Sequence, residues 1–225
     1  MLEGEFESMK ALHAAAPTLV PKPHAWGQVD VTEPTMYFFL CDFIELSDQN
    51  SDAVQLCSKL VALHKSTQSR NNLFGFHVNP LRGNLPLNTT WTASWKELFA
   101  QILRGTLASY QRVNGTRQGI SQLVESVVEI VVAQVRDSCL EAEGRSIKPS
   151  LVHGGHFDAT NSGTTELTAI SDLWGGIIGT DARTGEVYFF DASSYYAHHE
   201  MEVAIWRYVP NTITGSGAYV EDYLA

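Results

Sequence analysis

The sequence predicts an α+β fold. Three observations predict it: helical apolar spacing over much of the first 142 residues, one strand-like run at residues 36–41, and a hairpin pattern at residues 177–190. Leu2, Phe6, Met9 and Leu12 recur at helical spacing with Glu3, Glu5 and Glu7 between them, so residues 1–15 read as a helix. Pro17, Pro21 and Pro23 stop it. Met36 to Cys41 reads as a buried strand ending at Asp42 and Phe43. Ser51 is positioned to cap a helix to about Lys65, with Ala53, Leu56, Cys57, Leu60 and Leu63 on one face. Residues 70–90, rich in Asn, Pro and Gly, read as irregular surface. Ser94 and Glu97 make a capping-box pattern ahead of Phe99, Ile102, Leu103, Leu107 and Tyr110. A further long helix is predicted over 118–142.

The texture then changes. Ser150 to Val152 reads as a short strand running into a loop at His153 and Gly154. Residues 155–171 are small and polar, with no period. Ile177 to Gly179, a turn at Ala182 to Gly185, and Val187 to Phe190 form a hairpin pattern with Asp191 at its end. Residues 195–206 read as helical. No internal repeat is visible.

With 225 residues and 44% hydrophobic content, the chain suits one medium domain or two small lobes with a real core. The net charge of −10, from 15 basic and 25 acidic side chains, would repel a nucleic-acid backbone. No apolar run reaches the ~18 residues that a membrane span needs. The acidic start, Met1 to Glu5, lacks the pattern of a signal peptide. Cys41, Cys57 and Cys139 are odd in number and form no Cys-x-x-Cys pair, which fits a reducing, cytoplasmic setting. Cys57 and Cys139 fall on apolar helix faces and read as core.

Chemistry concentrates in residues 150–200. Asp172 and Asp191 flank the hairpin and are placed to converge, as carboxylates that hold Mg²⁺ and orient a hydroxyl must. Acids at turns and strand ends also serve purely structural ends. His153, His156 and Asp158 have a metal-compatible spacing that would suit metal-assisted hydrolysis. No Gly-x-Ser-x-Gly elbow, Walker-type loop or Gly-x-Gly-x-x-Gly pattern occurs.

Motifs spread along nearly the whole chain carry a resemblance. They are Glu3-Gly4-Glu5, Val20-Pro21-Lys22-Pro23, Phe38 to Phe43, Phe74-Gly75-Phe76-His77, Trp91 with Trp95, Leu151-Val152-His153-Gly154, Asp172-Leu173-Trp174-Gly175-Gly176, Phe190-Asp191-Ala192 and Tyr195 to Glu200. The chain resembles the fructosamine/ketosamine-3-kinase family in its fungal, protein-ribulosamine 3-kinase form. That resemblance implies a fold like those of protein kinases and aminoglycoside phosphotransferases. It implies a partial N-lobe and hinge over 1–45 and a mainly helical C-lobe over 46–225. It also implies ATP- and Mg²⁺-dependent phosphorylation of the sugar 3-hydroxyl of ketoamines, small or on glycated proteins, which frees the amine. Under it, Asp172 accepts the hydroxyl proton and His153 opens the catalytic loop. Asp191 holds Mg²⁺, Glu5 pairs with a phosphate-binding lysine, and the backbone at Cys41, Asp42 and Phe43 holds adenine. His77, Trp91, Trp174 and His198 fall to the substrate side.

The pattern departs from the family at four places. His153-Gly154 and Asp172 are contiguous in the family and are split here by residues 155–171, which read as an insertion or translated intron. Ile177 stands where an Asn ligand of the metal is expected. The glycine-rich hairpin and lysine strand that precede the Glu5 helix in the family do not precede it here, and the segment after Trp206 diverges. These departures carry a second expectation, a catalytically inactive kinase-like binding module or a gene fragment.

Overall fold

The computed structural model describes residues 2–30, 33–48, 51–131, 146–155, 177–203 and 223. Helix α1 (Leu2–Ala15) follows the apolar spacing, with Met9 and Leu12 buried and Glu3 and Glu5 in its first turn, where the helix dipole favours negative charge. Strands β1 (Pro23–Val29) and β2 (Met36–Cys41) pair antiparallel, with Trp26 opposite Phe39. Phe6 of α1 meets Phe39 edge to face at 6.3 Å. The strand is where the sequence predicts it, but it is not buried. Met36, Tyr37, Phe38 and Leu40 are all at least 43% exposed. Their apolar character matches a strand with cover on both faces, yet β2 has a single strand partner among the described residues.

Helix α2 (Ala53–Ser66) is capped by Asp52, whose carboxylate accepts from the Gln55 amide at 2.7 Å, rather than by Ser51. Its inner face is Leu56, Cys57, Leu60 and Leu63, as the spacing predicts, with the addition of His64. The irregular stretch at 70–90 contains a two-residue hairpin, β3 (Leu81–Arg82) with β4 (Leu85–Pro86). Helix α3 (Trp95–Asn114) starts at Ser94, whose hydroxyl accepts from the Glu97 amide at 3.3 Å. Leu98 and Ile102 carry its burial. Helix α4 (Gln118–Ser126) passes into a π-helical turn (Val127–Val131); the rest of the helix predicted to 142, and Cys139, lie outside the described residues.

Four short strands complete the described structure. The predicted hairpin forms as β6 (Ile178–Thr180) and β7 (Val187–Phe189). Strand β5 (Ser150–Val152) pairs antiparallel with β8 (Tyr195–Ala197). The expectation of a helix from residue 195 is therefore corrected. Tyr195 to Ala197 is a strand because β5 supplies its ladder, and tertiary pairing overrides local propensity. Helix α5 (Glu200–Val203) begins only afterwards. One cluster of buried side chains joins these parts: Leu12, Leu60, Leu63, Leu98, Val187, Phe189, Tyr195 and Ala197 are its fully enclosed members. The early part of the chain meets the β6–β7 hairpin through Leu19, whose carbonyl accepts from the Phe189 amide at 2.9 Å, and through Glu45, whose carbonyl accepts from the Ala182 amide at 2.7 Å.

Candidate active site

The hairpin that carries Asp191 is fixed from α2. The Gln55 side chain accepts from the Val187 amide and donates to the Gly185 carbonyl. Lys59 donates to the Thr18 and Val187 carbonyls and pairs with Glu186 at 2.6 Å. Just past β7 the chain turns sharply, and Asp191 sits at φ +54, a conformation that residues other than glycine rarely adopt. Its side chain stays exposed while Ala192, Ser193 and Ser194 dive into the interior. Strain held at an exposed carboxylate beside a buried anchor is common at functional sites.

Helix α1 brings a second carboxylate there. Glu5 is pushed up to about 7, first by burial and then by the negative charge of Asp191. Among the described residues it has no hydrogen-bond or ion-pair partner. The helix is docked by Ser8, whose hydroxyl donates to the Gly4 carbonyl at 2.7 Å and accepts from the Ser194 amide at 2.8 Å. The same bond that seats the Glu5 helix thus seats the chain three residues past Asp191.

His153 completes the described centre. It is fully buried, with its ring 5.5 Å from that of Phe189. Nδ1 accepts from the Gly155 amide at 3.2 Å, and among the described residues Nε2 has no hydrogen-bond partner of good geometry. Burial pushes its pKa down, against the opposing pull of Glu202, Asp191 and the Phe190 backbone. Its carbonyl accepts from the Ser193 amide at 3.0 Å and the Ser194 hydroxyl at 3.3 Å, locking this loop to the Asp191 segment.

The remaining predicted residues divide. Cys41 lies within electrostatic reach of Glu5 and Asp42, and burial raises its thiol pKa. Asp42 binds His24 at 2.7 Å, and Phe43 is 83% exposed. The end of β2 is therefore beside Glu5. His77 binds Glu7, one helical turn from Glu3 on α1, at 3.1 Å. Trp91 is half exposed and stacks on Tyr196 at 6.0 Å. His198 is buried, stacks on His199 at 5.0 Å and faces Trp95 at 6.4 Å. Asp172, Trp174, His156 and Asp158 lie outside the described residues. Ile177 is 2% exposed and belongs to the core.

Two residues that the sequence reading missed stand behind His153. Glu202 of α5 is 2% exposed and accepts from the His153 amide (2.9 Å), the Gly154 amide (2.7 Å) and His64 Nε2 (2.9 Å). Burial pushes its pKa up, but these bonds and the charge of His64 outweigh burial and hold it below the usual carboxylate value. His64 Nδ1 meets the Tyr223 hydroxyl at 2.9 Å.

The antiparallel pair with its helix, followed by a mainly helical part that carries the His153 loop and the Asp191 hairpin, is a protein-kinase-like fold. The comparisons agree on that fold. A crystal structure of a protein assigned as a fructosamine-3-kinase from Haemophilus somnus 129PT superposes with a TM-score of 0.69 at 16% identity, covering 100% of this chain and 65% of that one. Another, from Thermobifida fusca YX-ER1, gives 0.67 at 17% identity, with coverage of 99% and 64%. The fructosamine kinase family model matches residues 1–214, and the chain belongs to that family. It is 28% identical over 202 residues to the chloroplastic protein-ribulosamine 3-kinase of rice (Oryza sativa subsp. japonica), covering 90% of this chain and 51% of the rice protein. It is 24% identical over 230 residues to the ketosamine-3-kinase of Mus musculus, covering 91% of this chain and 64% of that one. The chain thus spans about half to two thirds of the length of these relatives. Among the described residues no helix is long and apolar enough to cross a membrane.

Proposed function

We propose that this chain carries the catalytic core of an ATP-dependent kinase acting on ketoamines, ribulosamines or fructosamines on glycated proteins or as small molecules. The observation that carries the reading is the approach of Glu5 to Asp191. A carboxylate at Glu5 that burial and then the charge of Asp191 make harder to ionise, with no cation beside it among the described residues, suits a site for a divalent metal and a basic phosphate ligand. Asp191 would hold Mg²⁺, which supplies charge neutralisation on the ATP phosphates. The backbone at Cys41, Asp42 and Phe43 would take adenine. Asp172 would accept the proton of the sugar 3-hydroxyl, and His153 would fix the loop that precedes it. Trp91, His77, Trp174 and His198 are the proposed ketoamine side. Residues 1–45 would act as the N-lobe part and 46–225 as the C-lobe. Catalysis of this kind is positioning plus charge stabilisation.

The test is direct. The chain is incubated with Mg²⁺, ATP and a ribulosamine of lysine, and the sugar 3-phosphate is sought by ³¹P NMR. Product that disappears in Asp191→Asn supports the reading. Absence of product from the wild-type chain, with ATP bound, selects the second reading, a non-catalytic module that binds nucleotide or glycated peptide. That second reading is favoured by one observation: Ile177 is sealed in the core and offers the metal no ligand.

A further inference from the structure

We propose that the Pro80–Leu81 step is a spacer that sets Glu5 against Asp191, and that Asn79 is the positioning residue that holds the spacer in place. The role in phosphoryl transfer rests on the function proposed above; the spacing itself does not.

The geometry carries it. Gly4, the residue before Glu5, is buried so close to the 77–80 segment that a Cβ there would lie 2.7 Å from the Pro80 Cα and 3.5 Å from the Asn79 carbonyl oxygen. Ser193, two residues past Asp191, donates its hydroxyl to the Leu81 carbonyl. The segments that carry the two carboxylates thus rest on consecutive residues. Gly4, Glu7 and Ser8 share one face of α1, at i, i+3 and i+4. On that face Glu7 binds His77 at 3.1 Å, and Ser8 accepts from the Ser194 amide at 2.8 Å. The contacts close a ring: α1 on Pro80, Leu81 on Ser193, and Ser194 back on α1.

The spacer is itself held from behind. The Thr89 amide donates to Asn79 Oδ1 at 3.0 Å, and the Thr89 hydroxyl donates to the Val78 carbonyl at 2.9 Å. The Leu87 amide donates to the Pro80 carbonyl at 2.9 Å, and the Phe76 amide to the Thr89 carbonyl at 2.8 Å. Thr89 is fully buried, so these bonds are shielded from water. Proline at position 80 fixes φ there as well. Among the described residues the Asn79 side chain bonds Thr89 and neither α1 nor the Asp191 segment. The competing reading is a loop that satisfies its own polar groups and adds local stability. The two readings differ in how far a change at Asn79 travels.

The experiment is amide hydrogen exchange by mass spectrometry on the full chain, comparing wild type, Asn79→Ala, Asn79→Asp and Gly4→Ala. Asn79→Ala leaves the Thr89 amide without its acceptor. Exchange is expected to rise about fivefold or more in three places together, residues 76–89, α1 and residues 190–195, with residues 106–114 of α3 unchanged. Asn79→Asp keeps an acceptor oxygen and is expected to return all three to within about twofold of wild type. Gly4→Ala puts a better helix former in α1, which by itself slows exchange; pressed against Pro80, it is expected instead to speed exchange in α1 and residues 190–195. A rise confined to residues 76–89 in Asn79→Ala, an equal rise in every segment, or slower or unchanged exchange of α1 in Gly4→Ala overturns the proposal. If Gly4→Ala does not fold, the two Asn79 variants decide by the same criterion. In a chain that turns over, Asn79→Ala is expected to lower kcat about tenfold and Asn79→Asp to recover it. Joint loosening without any phosphate transfer by the wild type leaves the spacer standing and sinks the kinase reading. Transfer with loosening confined to residues 76–89 does the reverse.

Discussion

Gly154→Ala is the substitution whose cost the structure specifies most fully. Gly154 has φ +80, and a Cβ there would lie 2.1 Å from the Ser193 carbonyl oxygen, about 0.9 Å inside the 3.0 Å limit that real Cβ atoms respect. The left-handed backbone costs an alanine ~1–2 kcal/mol. Relieving the clash against backbone, which cannot rotate away, costs ~1–3 kcal/mol. Moving Ser193 also breaks its 3.0 Å bond to the His153 carbonyl, worth ~1 kcal/mol. The sum is about 3–6 kcal/mol, a large share of the ~5–15 kcal/mol that stabilises an ordinary domain. Gly185→Ala is the control, because its φ is +73 but nothing lies within 4 Å of the added Cβ. It should cost only the backbone strain, ~1–2 kcal/mol. Urea denaturation of the three proteins measures both. A Gly154→Ala loss within about 1 kcal/mol of the Gly185→Ala loss would refute the claimed contact between the His153 loop and the Asp191 segment.

Other expectations concern pH and capping. Glu5 titrates near 7 in the folded chain against an ordinary 4.5, so the folded state binds the proton more tightly and stability falls as pH rises between those values. Glu5→Gln should remove this slope; its Tm relative to wild type should climb from pH 5 to pH 7 and then level off, and a constant difference contradicts it. His199 has the opposite sign. Burial, then the charges of His198, His64 and Lys148, depress it from 6.5 to about 4, so stability is lost as pH falls through that window. His199→Asn should be less sensitive to acid than wild type between pH 6.5 and 4 in the same melting experiment. Asp52→Ala, which removes the α2 cap, should cost ~1 kcal/mol in urea denaturation while Asp52→Asn, which keeps an acceptor oxygen for the Gln55 amide, costs clearly less.

Much of this architecture was readable where the apolar period was strong. Met9 and Leu12 on α1, and Leu56 to Leu63 on α2, needed only helical spacing. The β6–β7 hairpin was marked by its turn at residues 182–185. The misreadings were local signals decided elsewhere. Two adjacent residues, Ser51 and Asp52, could both cap, and only geometry selects Asp52. Tyr195 to Ala197 became a strand because Ser150 to Val152 lies alongside. The β2 run was apolar enough to be buried, yet burial depends on what packs against it.

The site was legible mainly through motif resemblance, which drew attention to Glu5, His153 and Asp191. Nothing in their spacing shows that a helix start and a hairpin end meet. Glu202 left no pattern, since a four-residue helix is too short to show a period. His64 did leave one: an imidazole beside Leu63 on an otherwise apolar face asks what its nitrogens bind.

The measurement closest to the central claim is calorimetric titration of ATP into the chain with and without Mg²⁺, on wild type and Asp191→Asn. If Glu5 and Asp191 form a metal–nucleotide site, wild type binds ATP in a Mg²⁺-dependent manner and Asp191→Asn loses that dependence. Absence of ATP binding by the wild-type chain, or identical Mg²⁺ dependence in both proteins, would contradict the account.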